Sequence, residues 1–175
     1  PFAGEGSTSA TDGRWAGTEL QLTHRLSARH RLLGGIEAQR DSQLRQSQAT
    51  DALGLVLDDR RSGSRLGVFV QDDIEWSAAW STSAGLRYDR YRGGEQASPR
   101  GALIFRPDGR SALKLVAGSA FRAPNAYERY YAFDGLYAAN PALNAERIAT
   151  VDLDYSTLLG GRTRLGVGAY RYRAS

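Results

Sequence analysis

Ser98 to Glu146 reads SPRGALIFRPDGRSALKLVAGSAFRAPNAYERYYAFDGLYAANPALNAE, and this stretch decides the fold. It opens with a segment in which Pro99, Gly101, Leu103 and Phe105 fall on one parity. A Pro107-Asp108-Gly109-Arg110 turn follows, and a second segment places Leu113, Leu115, Ala117, Ser119 and Phe121 on one parity. Successive side chains of a strand point to opposite faces, so a period of two marks a sheet whose faces meet different surroundings. Beyond Phe121 a long aromatic segment runs to Asn140-Pro141-Ala142-Leu143-Asn144-Ala145-Glu146. The unit is two strands joined tightly at one end and followed by a long excursion at the other.

The same period recurs along the chain. Ala16, Thr18, Leu20 and Leu22 form one face, extended by His24 and Leu26, and Leu32, Gly34, Ile36 and Ala38 form the next. Leu66, Val68, Val70, Asp72, Ile74 and Trp76 lead through a short turn to Trp80, Thr82, Ala84, Leu86 and Tyr88. After a Gly93-Gly94 loop and the opening unit come Val151, Leu153 and Tyr155, then a Gly160-Gly161 turn and Leu165, Val167 and Ala169. The polar stretch from Gln43 to Gly63 is expected to be a long loop. The pattern predicts about eight strands and no helix. Short connections are expected at one end and long ones at the other, the layout of an antiparallel up-and-down transmembrane β-barrel.

Bulk composition is compatible with that layout. Mean hydropathy is negative, and no run of about 18 apolar residues suits a spanning helix. A barrel sends only alternate residues into lipid, so its average hydropathy looks soluble. Positive charge is spread along the sequence, giving no nucleic-acid footprint and no expected nucleic-acid partner. The absence of cysteine removes disulfides and thiolate metal sites. The chain opens on Pro1 without a signal peptide, so it is expected to be a mature product or an excised piece of something longer.

Two tests separate lipid from a soluble core. Charges on the opposite parity, among them Glu37, Asp73, Arg87, Asp89, Lys114 and Asp152, suit a barrel lumen and a solvated sandwich equally. The aromatic residues discriminate, because rings at strand ends sit at lipid headgroups. Trp76 and Trp80 flank one short turn, Phe105 and Tyr155 precede two others, and Phe121 lies at the far end of its strand. These five are the expected membrane girdle.

No catalytic site is expected. His24 is on the apolar parity and His30 in a short turn, so neither suits a hydrolytic site, and their spacing is poor for a metal. Asp72 and Asp73 point to opposite faces and share no chemistry. Arg122 and Glu146 fall on the lumen parity at the base of the long loop. They either pair across the hairpin mouth, holding the loop base or contacting another domain, or stand as separate solvated charges. Tyr127, Tyr130, Tyr131, Phe133 and Tyr137 in the loop are candidate ligand contacts; the alternative is that they pack on one another or reach the girdle.

Ser98-Pro99-Arg100, Arg106-Pro107, Phe121-Arg122-Ala123-Pro124-Asn125-Ala126-Tyr127-Glu128 and Asn140-Pro141-Ala142-Leu143 together resemble the barrel of the TonB-dependent outer-membrane receptors. Gly67-Val68-Phe69-Val70-Gln71-Asp72 and Gly85-Leu86-Arg87-Tyr88-Asp89 resemble its preceding strands. The resemblance is good from about Leu66 to Tyr155 and weak before that; Ala145-Glu146 stands where the family usually has Pro-Glu. It implies that residues 1–175 are an internal part of a 22-stranded barrel of the Gram-negative outer membrane, with the plug domain and C-terminal strands outside the chain. It further implies contact with outer-membrane lipid, a plug that reaches TonB, and uptake of an iron-siderophore or similar nutrient, with no cofactor. A non-coupled barrel, either porin or adhesin, is the alternative, and a soluble β-domain the third reading.

Overall fold

The computed structural model describes residues 6–132 and 138–175. Eight strands form one antiparallel sheet in sequential order: β1 (Ser7–Arg25), β2 (His30–Thr50), β3 (Gly54–Glu75), β4 (Trp80–Tyr91), β5 (Gly94–Phe105), β6 (Ser111–Arg122), β7 (Glu146–Leu159) and β8 (Thr163–Ala174). The sheet is open, and every strand pairs with its sequence neighbours alone. No helix among the described residues is long and apolar enough to cross a membrane.

Register explains the alternation. Leu20, Ile36, Val68 and Tyr88 are consecutive cross-strand partners, as are Trp80, Phe105, Leu113 and Tyr155 lower down. Each such row presents one parity to one face, so the apolar face is continuous across the sheet. Among the described residues no apolar side chain is buried, while Leu22, Val70, Leu86, Leu115, Val151 and Leu165 are all exposed. A soluble sandwich covers such a face with a second sheet. Here the uncovered apolar face is the surface a barrel turns toward lipid.

Residues 26–29, 76–79, 106–110 and 160–162 connect strands at one end, and residues 51–53, 92–93 and 123–145 at the other. Short periplasmic turns opposite longer extracellular loops orient such a barrel; here residues 123–145 are the long connection, while 51–53 and 92–93 are as tight as those at the first end. Four expectations change. Gln43 to Gly63 is not a loop: β2 and β3 continue through it to a tight turn at 51–53, with β1 alongside up to Ser7. Apart from Leu44 and the run Leu55-Val56-Leu57, this projecting tongue carries polar residues on both faces, because above the lipid both meet water, and alternation is then absent although the ladder continues. The Gly93-Gly94 loop contracts to a two-residue turn, with Gly94 already in β5. His30 is the first residue of β2 rather than a turn residue, and its Nδ1 lies 2.7 Å from Asp72 Oδ2.

A one-turn helix, α1 (Ala126–Tyr130), also appears where none was expected. Its cause is local. Asn125 Oδ1 accepts from the Glu128 N–H at 2.9 Å, and Glu128 Oε2 accepts from the Asn125 N–H at 2.8 Å. This reciprocal capping satisfies two donors that a helix start otherwise leaves open.

Candidate functional site

The loop between β6 and β7 folds back over the inner face of the sheet and is fastened at three places. At its base, Arg122 makes a two-pronged bond to Glu146, Nη2 to Oε1 at 2.7 Å and Nε to Oε2 at 3.0 Å, and also reaches Glu128 at 2.8 Å. One guanidinium thus ties the end of β6 to the start of β7 and to α1. Arg122 holds the Glu128 carboxyl below the usual carboxylate range, helped by the Asn125 N–H, and does the same to Glu146.

The second fastening is Arg129, only 6% exposed, which donates to the carbonyls of Arg92 (3.2 Å) and Leu143 (3.0 Å). It lies against Gly93, whose φ of +108° already favours glycine and where a Cβ would overlap the guanidinium. The third fastening is to the tongue. The Arg61 guanidinium sits 3.3 Å from the Tyr130 ring centroid, a cation–π contact, and the Tyr131 hydroxyl donates to Gln48 Oε1 at 2.7 Å. Tyr127 stacks on Tyr131 with centroids 4.4 Å apart.

Between loop, tongue and wall lies a cavity of about 720 Å³. Tyr127 and Tyr130 line it, with Trp15 from β1, Tyr91 from β4 and five arginines, Arg45, Arg61, Arg65, Arg92 and Arg129. Arg45 is paired with Asp58 and Arg61 with Asp59. The other three bond only neutral acceptors among the described residues: Arg65 the Gln39 side chain, Arg92 the Ser62 carbonyl, and Arg129 its two carbonyls. The Arg129 Nε is buried with no hydrogen-bond partner among the described residues. The mouth is therefore cationic and aromatic.

Deeper on the inner face, Arg87 bridges Glu37 at 2.7 Å and Asp89 at 2.7 and 2.8 Å, and Asp89 is 2% exposed. Gly67 makes room for it, since a Cβ there would overlap Arg87. Of the loop aromatics, Phe133 and Tyr137 lie outside the described residues. Of the girdle set, Trp80 and Phe105 stack with centroids 4.3 Å apart, and the Trp76 Nε1–H donates to Thr82 Oγ1 at 2.9 Å. Tyr155 is exposed in the same row, and Phe121 stacks on Tyr91 at the opposite end. Sequence reasoning missed Arg61, Arg65, Arg92 and Arg129. Their placement depends on the tongue and the Gly93 turn, which no local pattern reports. No group of three or more histidine or carboxylate side chains suited to a metal occurs among the described residues.

An open up-and-down sheet, apolar outside and charged within, with a folded-back loop at its mouth, is the wall of an outer-membrane-type β-barrel. The family profile described as TonB dependent receptor-like, beta-barrel matches residues 1–175, and the chain belongs to that family. No curated protein matches the sequence. Among solved structures, it is similar to the ferric enterobactin receptor from Pseudomonas aeruginosa in complex with enterobactin, at TM-score 0.70 and 20% identity over 95% of this chain and 27% of that one. It is similar to the siderophore receptor PirA from Pseudomonas aeruginosa (TM-score 0.71, 20% identity, 94% of this chain, 31% of that one). The copper transporter OprC is a further similar fold (TM-score 0.75, 16% identity, 96% of this chain, 31% of that one). The chain thus spans less than a third of the length of these structures.

Proposed function

We propose that residues 1–175 form part of the wall and outer loops of a TonB-dependent receptor in the Gram-negative outer membrane, and that the receptor imports a ferric siderophore. In this reading the plug domain and the remaining strands lie outside the chain, and TonB acts through the plug. The observation that carries the cargo is the mouth cavity. Arg65, Arg92 and Arg129, bonded to neutral acceptors alone among the described residues, outnumber the one lining carboxylate, Asp41, and stand among the rings of Trp15, Tyr91, Tyr127 and Tyr130. Such a lining favours an anionic, partly aromatic chelate over a bare metal cation, because guanidinium groups seek anionic oxygens and rings supply rigid apolar area. Arg122 and Glu146 hold the base of the loop that closes the site.

The test is equilibrium binding of iron-loaded catecholate and hydroxamate chelates to the full-length receptor. Replacing Tyr130 and Tyr131 together by Ala is expected to weaken binding of the preferred chelate about tenfold while heat-modifiable gel migration stays normal. Unchanged affinity across the panel overturns the cargo assignment. Iron-limited growth on the chelate that persists without TonB overturns the coupled transport.

A further inference from the structure

Positive charge that looks scattered in the sequence is gathered by the hairpin topology. Three of the four short connections carry Arg29, Arg106, Arg110 and Arg162, residues 76–79 carrying none, with Asp108 the one carboxylate inside these connections, and all five residues are exposed. Asp108 is turned to its own backbone. Its Oδ1 accepts the N–H groups of Arg110 and Ser111 at 2.8 and 2.6 Å, bonds that hold the carboxyl below its usual range and close the turn. None of the four arginines enters an ion pair among the described residues. Among the described residues, the side-chain bond that any of them donates runs from Arg106 to Ser81 Oγ at 3.1 Å.

Trp80 and Phe105 stand at the strand ends beside these turns and stack on one another, Trp76 opens the 76–79 connection, and Tyr155 lies four residues inside the end of β7. Rings of this kind settle at the headgroup boundary of a bilayer, so residues one or two positions further out, such as Arg106 after Phe105, stand at the level of the phosphates. The guanidinium groups are spread over an arc of turns rather than gathered in one pocket; Arg29 alone of the four borders a small cleft, together with Asp73 and Glu75. That spacing fits a planar array of anions, and the guanidinium fork matches phosphate oxygens.

We propose that the short-turn end of this barrel wall is a cationic collar that binds anionic phospholipid headgroups, through their phosphates, in the leaflet facing the short turns. The collar rests on the membrane-barrel assignment and is independent of the cargo.

The full-length receptor in non-ionic detergent, offered equal amounts of phosphatidylglycerol and phosphatidylcholine, is read by native mass spectrometry. Phosphatidylglycerol should be retained about tenfold more than phosphatidylcholine, with each single Arg→Gln change at these four positions lowering the preference about twofold and the fourfold change abolishing it. The preference should fall steeply in about 0.5 M salt. Changing all four to Lys should keep most of it, and about 10 mM inorganic phosphate should leave it intact, since a flat array holds no free anion. Equal retention of the two lipids, survival of the preference in the fourfold Gln variant, or its loss to inorganic phosphate would each overturn the collar. If the fourfold variant does not assemble, Arg106→Gln and Arg162→Gln, on separate turns, carry the test singly. Heat-modifiable migration of the unmodified protein reports the barrel separately, so a barrel without lipid preference sinks the collar alone.

Discussion

The lower and upper halves of β2 and β3 share one hydrogen-bonded ladder but belong to different environments. From Leu32 to Ala38 and from Leu66 to Ile74 the outward parity is mostly apolar, broken by Asp72. Above Asp41 and Gly63 the same strands carry Gln, Ser, Asp and Arg on both faces, tied by cross-strand pairs such as Arg45 with Asp58 at 2.8 Å. Hydropathic alternation therefore reports the two solvents of a strand, not the strand itself. Where both solvents are water the pattern vanishes and charge pairing takes over as the visible sign.

That contrast can be broken at its strongest point by placing a charge on each half. Val70→Arg, on the lipid parity of the wall, is expected to cost about 2–4 kcal/mol and to deplete the heat-modifiable folded band. Ser47→Arg in the tongue should stay within about 0.5 kcal/mol, because its surroundings are already aqueous. Equal losses from the two would dissolve the distinction between wall and tongue.

A second intervention separates the tongue from the loop docked on it. Gly93→Ala places a Cβ at positive φ and against Arg129, which should destabilise loop docking by about 1–3 kcal/mol. Tryptic cleavage after Arg129 should accelerate while barrel migration stays normal; unchanged cleavage would show that the loop does not depend on this contact. The smallest effect concerns pH. Glu128 and Glu146 are held below the usual carboxylate range by Arg122, so the base of the loop is fastened at and above the ordinary Glu pKa of about 4.3 and released as pH falls further, through the lowered values. Amide protection of residues 126–131 should therefore be flat from neutral pH to about pH 5 and drop below about pH 4. In Arg122→Gln that drop should be displaced upward, and a wild-type drop already complete at pH 5 would refute the role assigned to Arg122.

Legibility in the sequence follows the same physics. Lower β1 and β2, lower β3 and β4 to β8 were readable because apolar and polar residues alternate along them, and aromatic residues stand near several of their ends. The tongue was not readable by that criterion. Its available signals were the charge block Asp58-Asp59 followed by Arg60-Arg61 and the turn at Gly54, whose φ is +68°. The short helix was visible in principle as Asn125 followed three residues later by Glu128. The loop aromatics were recognised as a group, but what holds them was not. Arg61 meets Tyr130 and Gln48 meets Tyr131 only because a strand pairing sends the tongue across the mouth.

Arg129 grips main-chain carbonyls at Arg92 and Leu143 rather than side chains. A clasp on the backbone is indifferent to the identity of the residues it holds, and Gly93 is the neighbour that it requires by type. Cavity-facing side chains outside the Arg61–Tyr130 contact can therefore be exchanged without releasing this clasp.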